Sequence, residues 1–266
     1  MSERMLTDRQ RREQEFYEEY SNRNTPEEVN FAPVSGDERR PWNSYWRFIE
    51  IVQSHFTSGG QRLLDLGCGT GFYSLIFARA GYEVFGFDIA PNNIAIADRL
   101  AEKYGLRGRT HFAVSAAETL DYEDEFFDVV TGINILHHVD IKSAVAECMR
   151  VLKPGGIAMF HEPVRAPLFD TLRESRLGTW LVSKEASFER HITEDERKLD
   201  DADLKLIGSF GRGCTFERFL LFARLDRFVK KDPSTPSALE RLDSRIFRVL
   251  PFARAFGGEC VIRLKK

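Results

Sequence analysis

The chain has 266 residues, of which 42% are hydrophobic and 30% charged, and its formal net charge is −3. These values are typical of a globular protein with one or two domains, and they exclude a collagen-like, coiled-coil or wholly disordered chain. The small negative charge argues against a protein that coats nucleic acid. Residues 206–266 nevertheless carry 13 Lys and Arg against 6 Asp and Glu. A solvated basic face is the simpler interpretation of this excess, and attraction of an acidic acceptor or partner is the alternative.

The sequence predicts a cytoplasmic protein without a membrane span. No apolar run approaches the ~18 residues that a span needs. The first 16 residues are charged and lack an apolar core, so we expect no secretory signal. The four cysteines lie far apart without a CxxC pair, which favours reduced thiols over disulfides or a zinc site.

In chain order, helices are predicted over residues 1–20 and Trp42–His55, with a loop over residues 21–41 between them. Strands and helices then alternate. The predicted strands are Arg62–Leu66, Glu83–Asp88, Thr110–Val114, Phe127–Ile133, Ile157–His161, Cys214–Leu221 and Glu259–Leu264. The predicted helices of this part are Phe72–Ala80, Pro91–Tyr104, Ile141–Leu152 and, approximately, Ser237–Leu250. This alternation predicts an α/β fold, with a doubly wound, mostly parallel seven-stranded sheet and helices on both faces.

The breaks in this alternation predict four parts. Residues 1–57 are expected to form an N-terminal helical cap, and residues 58–163 the ligand-binding core. Residues 164–208 interrupt the rhythm and are predicted to be an inserted helical lid. Residues 209–266 would complete the core sheet.

The central motif is Leu63-Leu64-Asp65-Leu66-Gly67-Cys68-Gly69-Thr70-Gly71, at a predicted strand-to-helix turn. Glycines let the backbone turn tightly and approach a ligand closely. A dinucleotide loop would have its third glycine where this chain has Phe72, and an acid such as Asp65 suits a cation better than a phosphate. Both features disfavour an NAD-dependent oxidoreductase. Asp88 ends the next strand, where a carboxylate can accept hydrogen bonds from two ribose hydroxyls. The motif therefore favours a ribose with a positive group, as in S-adenosylmethionine.

These residues resemble the first two motifs of class I S-adenosylmethionine-dependent methyltransferases of the small-molecule type. The similarity extends through Phe127–Val130, Asn134–Val139 and Val151–Gly156, and it covers residues 61–163. It implies a Rossmann-like fold, S-adenosylmethionine as methyl donor and S-adenosylhomocysteine as product. The N-terminal helices resemble the cap of such enzymes, where an aromatic residue such as Tyr17 touches the cofactor.

The resemblance also implies residue roles. Asp65 would steer the methionyl ammonium group, Asp88 would hold the ribose, and Ile89 would pack on the adenine. Relatives often have Asp where this chain has Ala116, so we expect the side-chain contact to the adenine amine to be missing and the Ala117 N–H to bind the ring. The implied cofactor-binding residues are Tyr17, Asp65, Gly67, Cys68, Gly69, Gly71, Asp88, Ile89, Ala116, Ala117, Glu118 and Asn134.

Three residues near the carboxyl ends of predicted strands are candidate catalytic groups. His138 and His137 follow the fourth strand, where ligands gather in open α/β sheets. A neutral imidazole can take a proton from a hydroxyl at neutral pH. Glu162 ends the fifth strand, and we expect only one of His161 and Glu162 to face the site. Packing or capping would explain each of these residues without catalysis. No firm metal-ligand spacing is present, so we expect no metal.

The predicted function is therefore methyl transfer to a small molecule, with a hydroxyl favoured as acceptor. Because a Phe-rich sequence can line an apolar pocket, an aromatic or apolar acceptor is expected. The alternatives are a methyltransferase acting on RNA or protein through the basic C-terminal part, and a non-catalytic protein that only binds S-adenosylmethionine. No arginine–aromatic RNA module is visible, so nucleic acid is a less favoured partner, and a homodimer remains open.

Overall fold

The sheet is the framework that positions the site. The computed structural model describes residues 6–35, 39–166, 197–226 and 237–266. Among them, seven strands form one sheet, as predicted. The strands are β1 (Arg62–Leu66), β2 (Glu83–Asp88), β3 (Thr110–Val114), β4 (Phe127–Ile133), β5 (Leu152–Pro163), β6 (Gly213–Phe219) and β7 (Glu259–Lys265).

The strand order is β3-β2-β1-β4-β5-β7-β6. The first five positions are parallel, whereas β7 runs antiparallel to both β5 and β6. The chain winds outward in opposite directions from β1 and β4. In open α/β sheets, ligands bind at such a switch point, beyond the carboxyl ends of the strands. The loops that follow β1 and β4 therefore flank the expected binding crevice.

Helices cover both faces of the sheet, which confirms the predicted doubly wound fold. The described helices are α1 (Asp8–Arg23), α2 (Ala32–Ser35), α3 (Ser44–Ser54), α4 (Phe72–Ala80), α5 (Pro91–Lys103), α6 (Ile141–Val151), α7 (Asp201–Gly208) and α8 (Ala238–Val249). Adjacent residues of β1 serve opposite faces: Leu64 packs in one buried cluster with α6, and Leu63 in another with α3, α4 and α5. Burial on both faces explains why the central strands β1 and β4 are largely apolar.

The predicted N-terminal helix begins at Asp8 rather than at residue 1. Thr7 caps it: the Thr7 hydroxyl accepts from Gln10 N–H, and the Gln10 side chain accepts from Thr7 N–H. The helix lies against the core, because Gln14 Nε2 donates to the Ile89 carbonyl at 2.8 Å and Asn92 N–H donates to Glu18 at 2.7 Å. These contacts place α1 beside the loop that follows β2.

Some predicted bounds differ from the structure, and β5 is one of them, because it runs over Leu152–Pro163 instead of Ile157–His161. The loop predicted over residues 21–41 contains the short helix α2. Most of the predicted lid, residues 167–196, lies outside the described residues. The structure describes its two ends, residues 164–166 and 197–208, which include α7. In the described ranges, no helix is both long enough and apolar enough to cross a membrane.

Candidate functional site

The loop between β1 and α4 turns on glycines in the left-handed region. Gly67, Gly69 and Gly71 have φ values of 62°, 52° and 80°. A Cβ added to Gly67 would lie 2.6 Å from Ile135 Cδ1, and one added to Gly71 would lie 2.8 Å from Ala97 Cβ, whereas one at Gly69 would meet nothing within 4 Å. The first and third glycines are therefore needed for packing, and Gly69 faces open space.

Because Gly71 is tightly packed and Gly69 is not, alanine should destabilise the protein more at Gly71 than at Gly69. A left-handed φ costs a non-glycine residue about 1–3 kcal/mol at either position. Gly71→Ala also collides with α5, so we expect it to lose more unfolding free energy in urea than Gly69→Ala. Equal losses in the two variants would contradict the packing role of Gly71.

The Asp88 carboxylate is held by the glycine loop and by the start of α5. Gly69 N–H donates to Asp88 Oδ2 at 2.9 Å, while Ala90 N–H and Asn93 Nδ2 donate to Oδ1 at 2.9 and 3.0 Å. Burial raises the pKa of Asp88, and these hydrogen bonds oppose the rise. The side chain is 9% exposed and reaches the crevice. A carboxylate fixed in this way can accept further hydrogen bonds from neighbouring hydroxyls of a ligand.

Asp65 is a second buried acid beneath the loop, only 2% exposed. Ser74 Oγ donates to its Oδ2 at 2.5 Å and Thr131 Oγ1 to its Oδ1 at 3.2 Å. Burial raises the pKa of Asp65 from 3.8 to about 6, against the effect of these two hydroxyls. A cation beside Asp65 would favour its ionised form, whereas a phosphate would be repelled.

A cavity of about 480 Å³ opens above the two acids. This is within the usual size range of small-molecule sites. Of the predicted cofactor-binding residues, the structure brings the following together in the cavity wall: Tyr17, Asp65, Gly67, Cys68, Gly69, Asp88, Ile89, Ala116, Ala117, Glu118 and Asn134. Gly71 does not line the cavity, because it packs against α5.

Helix α1 closes one side of the cavity and brings a buried acid to His138. The Tyr17 hydroxyl lies 3.0 Å from His138 Nε2, and Glu13 Oε2 lies 3.1 Å from His138 Nδ1. Glu13 is 5% exposed and His138 8%, and all three residues line the cavity. The carboxylate is near enough to form an ion pair with a protonated imidazole, and Nε2 is the ring nitrogen that faces the Tyr17 hydroxyl.

The other two candidate catalytic residues lie behind the cavity wall. Glu162 accepts hydrogen bonds from Ile135 N–H at 2.9 Å and Leu136 N–H at 2.8 Å, and its second oxygen lies 2.6 Å from His137 Nδ1. Neither Glu162 nor His137 lines the cavity. The prediction that Glu162 and His137 face the substrate is therefore wrong. The loop after β4 folds back over the end of β5, and its backbone N–H groups and His137 bind the Glu162 carboxylate instead.

Asn134 reaches the cavity from a strained loop position. Its φ is 54°, in the left-handed region, and its Nδ2 lies 3.4 Å from the Tyr45 hydroxyl. Burial raises the pKa of Tyr45, so this phenol stays protonated. The ring of Tyr45 stacks on His161 with centroids 4.1 Å apart, so His161 faces α3 rather than the cavity.

Sequence reasoning missed Glu13 and Tyr73. Glu13 precedes Tyr17 by four residues, and this spacing puts both on one face of a helix. That periodicity was a usable sign for Glu13. Tyr73 follows the glycine loop as the second residue of α4 and lines the cavity. Nothing local distinguishes it from a core aromatic residue.

Comparison with known proteins agrees with this geometry. A family model described as a methyltransferase domain matches residues 64–160. Among curated proteins, the ubiquinone biosynthesis O-methyltransferase of Cereibacter sphaeroides (strain ATCC 17029 / ATH 2.4.9) is 36% identical over 141 residues, which are 52% of this chain and 56% of that protein. The one from Methylococcus capsulatus is 34% identical over 113 residues, or 42% and 47% of the two chains. The matched region thus spans about half the length of these relatives.

Solved structures share the fold. The geranyl diphosphate C-methyltransferase of Streptomyces coelicolor A3(2), in complex with Mg²⁺, geranyl diphosphate and S-adenosylhomocysteine, aligns with a TM-score of 0.62 at 13% identity, covering 98% of this chain and 97% of that one. The [4+2]-cyclase SpnF aligns with a TM-score of 0.58 at 23% identity, covering 83% and 80%. At these identities the likeness concerns the fold alone. The methyltransferase domain is matched over the part of the chain that carries the glycine loop, Asp65 and Asp88.

Proposed function

We propose that the chain binds S-adenosylmethionine in the cavity above Asp65 and Asp88 and transfers its methyl group to a hydroxyl of a small molecule. One observation carries the proposal: the glycine loop, both acids and the capping helix α1 converge on a single cavity of about 480 Å³. The preference for oxygen is supported by the O-methyltransferases among the curated relatives. The rings of Tyr17, Tyr20, Phe72 and Tyr73 in the cavity wall favour an aromatic or apolar acceptor.

The adenosyl half fits the part of the cavity near β2 and β3. Asp88 offers a buried, pre-oriented carboxylate for the ribose hydroxyls, and Ile89 offers an apolar face for the adenine. Ala116 and Ala117 line the adjoining wall, and Ala116 has no side-chain acceptor for an amine. Recognition of the adenine edge is therefore assigned to the backbone, in particular to the Ala117 N–H.

The methionyl half fits the opposite end, beside Asp65 and Asn134. Asp65 supplies the negative charge that an ammonium group requires, and Asn134 supplies an amide oxygen and two N–H groups. Tyr45 holds the Asn134 amide through its hydroxyl. Gly69 leaves open space above the loop, so a ligand can approach its backbone.

When bound, S-adenosylmethionine supplies a methyl group on a positively charged sulfur. The contribution of the chain is to hold the acceptor oxygen in line with that methyl group. Alignment of this kind is worth about 7–11 kcal/mol in well-oriented reactions. Helix α1 and the loop after β4 form the walls that would impose it, because Tyr17 and His138 meet across the cavity.

The acceptor must also lose a proton. His138 Nδ1 lies 3.1 Å from Glu13 Oε2 and its Nε2 lies 3.0 Å from the Tyr17 hydroxyl. In the proposed step Nε2 accepts the Tyr17 proton while the Tyr17 oxygen takes the proton of the acceptor hydroxyl. His138 is thus proposed as the base and Tyr17 as the group that touches the acceptor. Glu13 would stabilise the imidazolium that forms. Glu162 and His137 are proposed as positioning residues, since they fix the loop that carries His138.

The raised pKa of Asp65 predicts that cofactor affinity depends on pH. Only ionised Asp65 attracts the ammonium group, so the affinity for S-adenosylmethionine should fall as the pH drops through about 6. Asp65→Asn should bind S-adenosylmethionine more weakly at neutral pH, and its affinity should change little with pH. This loss of pH dependence would assign the effect to Asp65 and not to Asp88. Dissociation constants measured by calorimetry from about pH 5 to pH 8 test this, because that range includes the pKa of Asp65 near 6. A wild-type affinity that is flat over that range would contradict the role given to Asp65.

Mass spectrometry tests the proposed activity. Incubation of the protein with deuteriomethyl S-adenosylmethionine and a metabolite extract should yield S-adenosylhomocysteine and a metabolite that carries the labelled methyl group. A labelled methyl ether would support oxygen as acceptor, and a labelled amine would contradict it. Label in RNA or protein alone would favour the macromolecular alternative, for which the basic residues 206–266 are the supporting feature.

A second candidate is a protein that keeps the cavity but does not transfer methyl groups. The observation behind it is that a chain named as a [4+2]-cyclase shares this fold, because a fold does not fix the reaction. Binding of S-adenosylmethionine without formation of S-adenosylhomocysteine would favour this candidate.

Two further features stay predictions: the inserted lid at residues 164–208 and a homodimer. Sedimentation with and without the cofactor tests the homodimer.

A further inference from the structure

Large apolar side chains are exposed around the end of α8 and the 3₁₀ turn that follows it at Pro251–Phe256. Val249 is 76% exposed and Phe252 is 70% exposed. We use the name C-terminal apolar patch for Leu242, Val249, Leu250, Phe252 and Phe256, which are all exposed. Single exposed apolar residues are ordinary, but a group of them along one short stretch indicates an interaction surface.

A basic stripe runs beside the part of this patch that lies on α8. Arg241, Arg245 and Arg248 are exposed and recur at intervals of four and three residues, which puts them on one face of α8. Leu242 and Val249 are separated by two helical turns and form the neighbouring edge of that face. The exposed face of α8 therefore combines apolar side chains with guanidinium groups.

The acids of α8 point away from this face. Asp243 is buried, and Glu240 accepts a hydrogen bond from Asn43 Nδ2 at 2.7 Å. Both carboxylates are thus used to attach the helix to the rest of the protein. The face that is left has a positive charge that no carboxylate of α8 offsets.

The patch is held in a fixed position. The Asp243 carboxylate accepts N–H groups of Leu221, Phe222 and Ala223 at 2.8 to 3.0 Å, and Phe247 packs with Leu221 in a small buried cluster. These contacts tie α8 to the segment that follows β6. The exposed side chains are therefore presented by an ordered element.

We propose that the C-terminal apolar patch and the three arginines dock the protein on the surface of a lipid bilayer that contains anionic lipid. A surface that inserts apolar side chains and presents basic residues matches the acyl boundary and the phosphates of such a bilayer. A second copy of the chain would fit this surface less well than an anionic bilayer. In a twofold contact the patch would meet itself, and the arginines of one copy would approach those of the other.

Vesicle co-sedimentation tests the proposal with the full chain. Wild-type protein should bind vesicles of phosphatidylcholine with phosphatidylglycerol, and bind phosphatidylcholine alone much more weakly. Each arginine near an anionic surface is worth about fivefold in affinity, so Arg245→Gln/Arg248→Gln should weaken binding more than about tenfold. Val249→Asp/Phe252→Asp should weaken it at least as much.

Matched controls change the same chemistry elsewhere. Arg107→Gln/Arg109→Gln removes two exposed charges from another surface, and Val114→Asp adds an acid at an exposed valine of β3. Both controls should bind like the wild type, and circular dichroism should show that every variant is folded. Failure of the wild type to bind, or equal losses in patch and control variants, would overturn the proposal. A dimer in lipid-free sedimentation that Phe252→Asp dissociates would also overturn it, in favour of a second copy.

Discussion

Replacement of Asp88 by alanine should weaken S-adenosylmethionine binding at least tenfold, which corresponds to about 1.4 kcal/mol. The change removes the acceptor for the ribose hydroxyls. It also frees the Gly69 N–H that Asp88 holds, so the glycine loop loses its anchor. Isothermal titration calorimetry of the two proteins gives the difference directly.

Two further variants make this result specific. Asp88→Asn removes the charge and, because both Asp88 oxygens accept N–H groups, also replaces one acceptor by a donor. We therefore expect it too to weaken binding. Asp121→Ala removes an exposed acid outside the cavity and should leave the affinity unchanged. Melting curves must show that Asp88→Ala is folded, because each buried donor left without an acceptor costs about 1–3 kcal/mol. A folded Asp88→Ala protein with wild-type affinity would remove Asp88 from the site.

Replacement of His138 by alanine should lower kcat by about 10²- to 10⁴-fold, the usual contribution of a general base. The cofactor dissociation constant should change little, since His138 is assigned to the acceptor proton. Tyr17→Phe retains the ring but loses the hydroxyl that contacts His138 Nε2, and it should show a similar loss. Steady-state rates with a saturating acceptor, combined with calorimetry, separate turnover from binding.

A variant at Glu13 that removes only the charge tests whether His138 acts as a base. Glu13→Gln keeps the shape of the side chain beside His138 Nδ1 but removes the negative charge proposed to stabilise the imidazolium, so kcat should fall while the cofactor dissociation constant changes little. His111→Ala alters an exposed histidine that pairs with Glu83 and serves as the control. Full activity of His138→Ala would leave catalysis to alignment alone.

The sequence predicted the sheet well because its strands are short apolar runs ended by glycines and polar residues. β1, β2, β3 and β4 have the predicted bounds. The position of β7 between β5 and β6 was not predicted. Strand order at a sheet edge depends on contacts between segments far apart in the chain, and no local pattern encodes it.

The cofactor part of the site was more predictable than the catalytic part. Glycines in the left-handed region and acids at strand ends can be recognised from the neighbouring sequence. Asp65 and Asp88 both line the cavity, as predicted from that pattern. The direction in which a side chain points after the end of a strand cannot be recognised in this way. Glu162 was expected to face the site, but two backbone N–H groups and His137 take up its carboxylate. Glu13 was overlooked because an acid in a charged helix looks solvated until the helix is docked.

One titration tests whether the glycine loop with Asp65 and Asp88 binds an adenosyl sulfonium in preference to a diphosphate. S-adenosylmethionine and NAD are titrated separately into the wild-type protein and into Asp88→Ala in a calorimeter. We expect one binding event per chain for S-adenosylmethionine, weakened by the substitution, and much weaker binding of NAD. Tighter binding of NAD, or no binding of S-adenosylmethionine by the folded protein, would contradict this expectation.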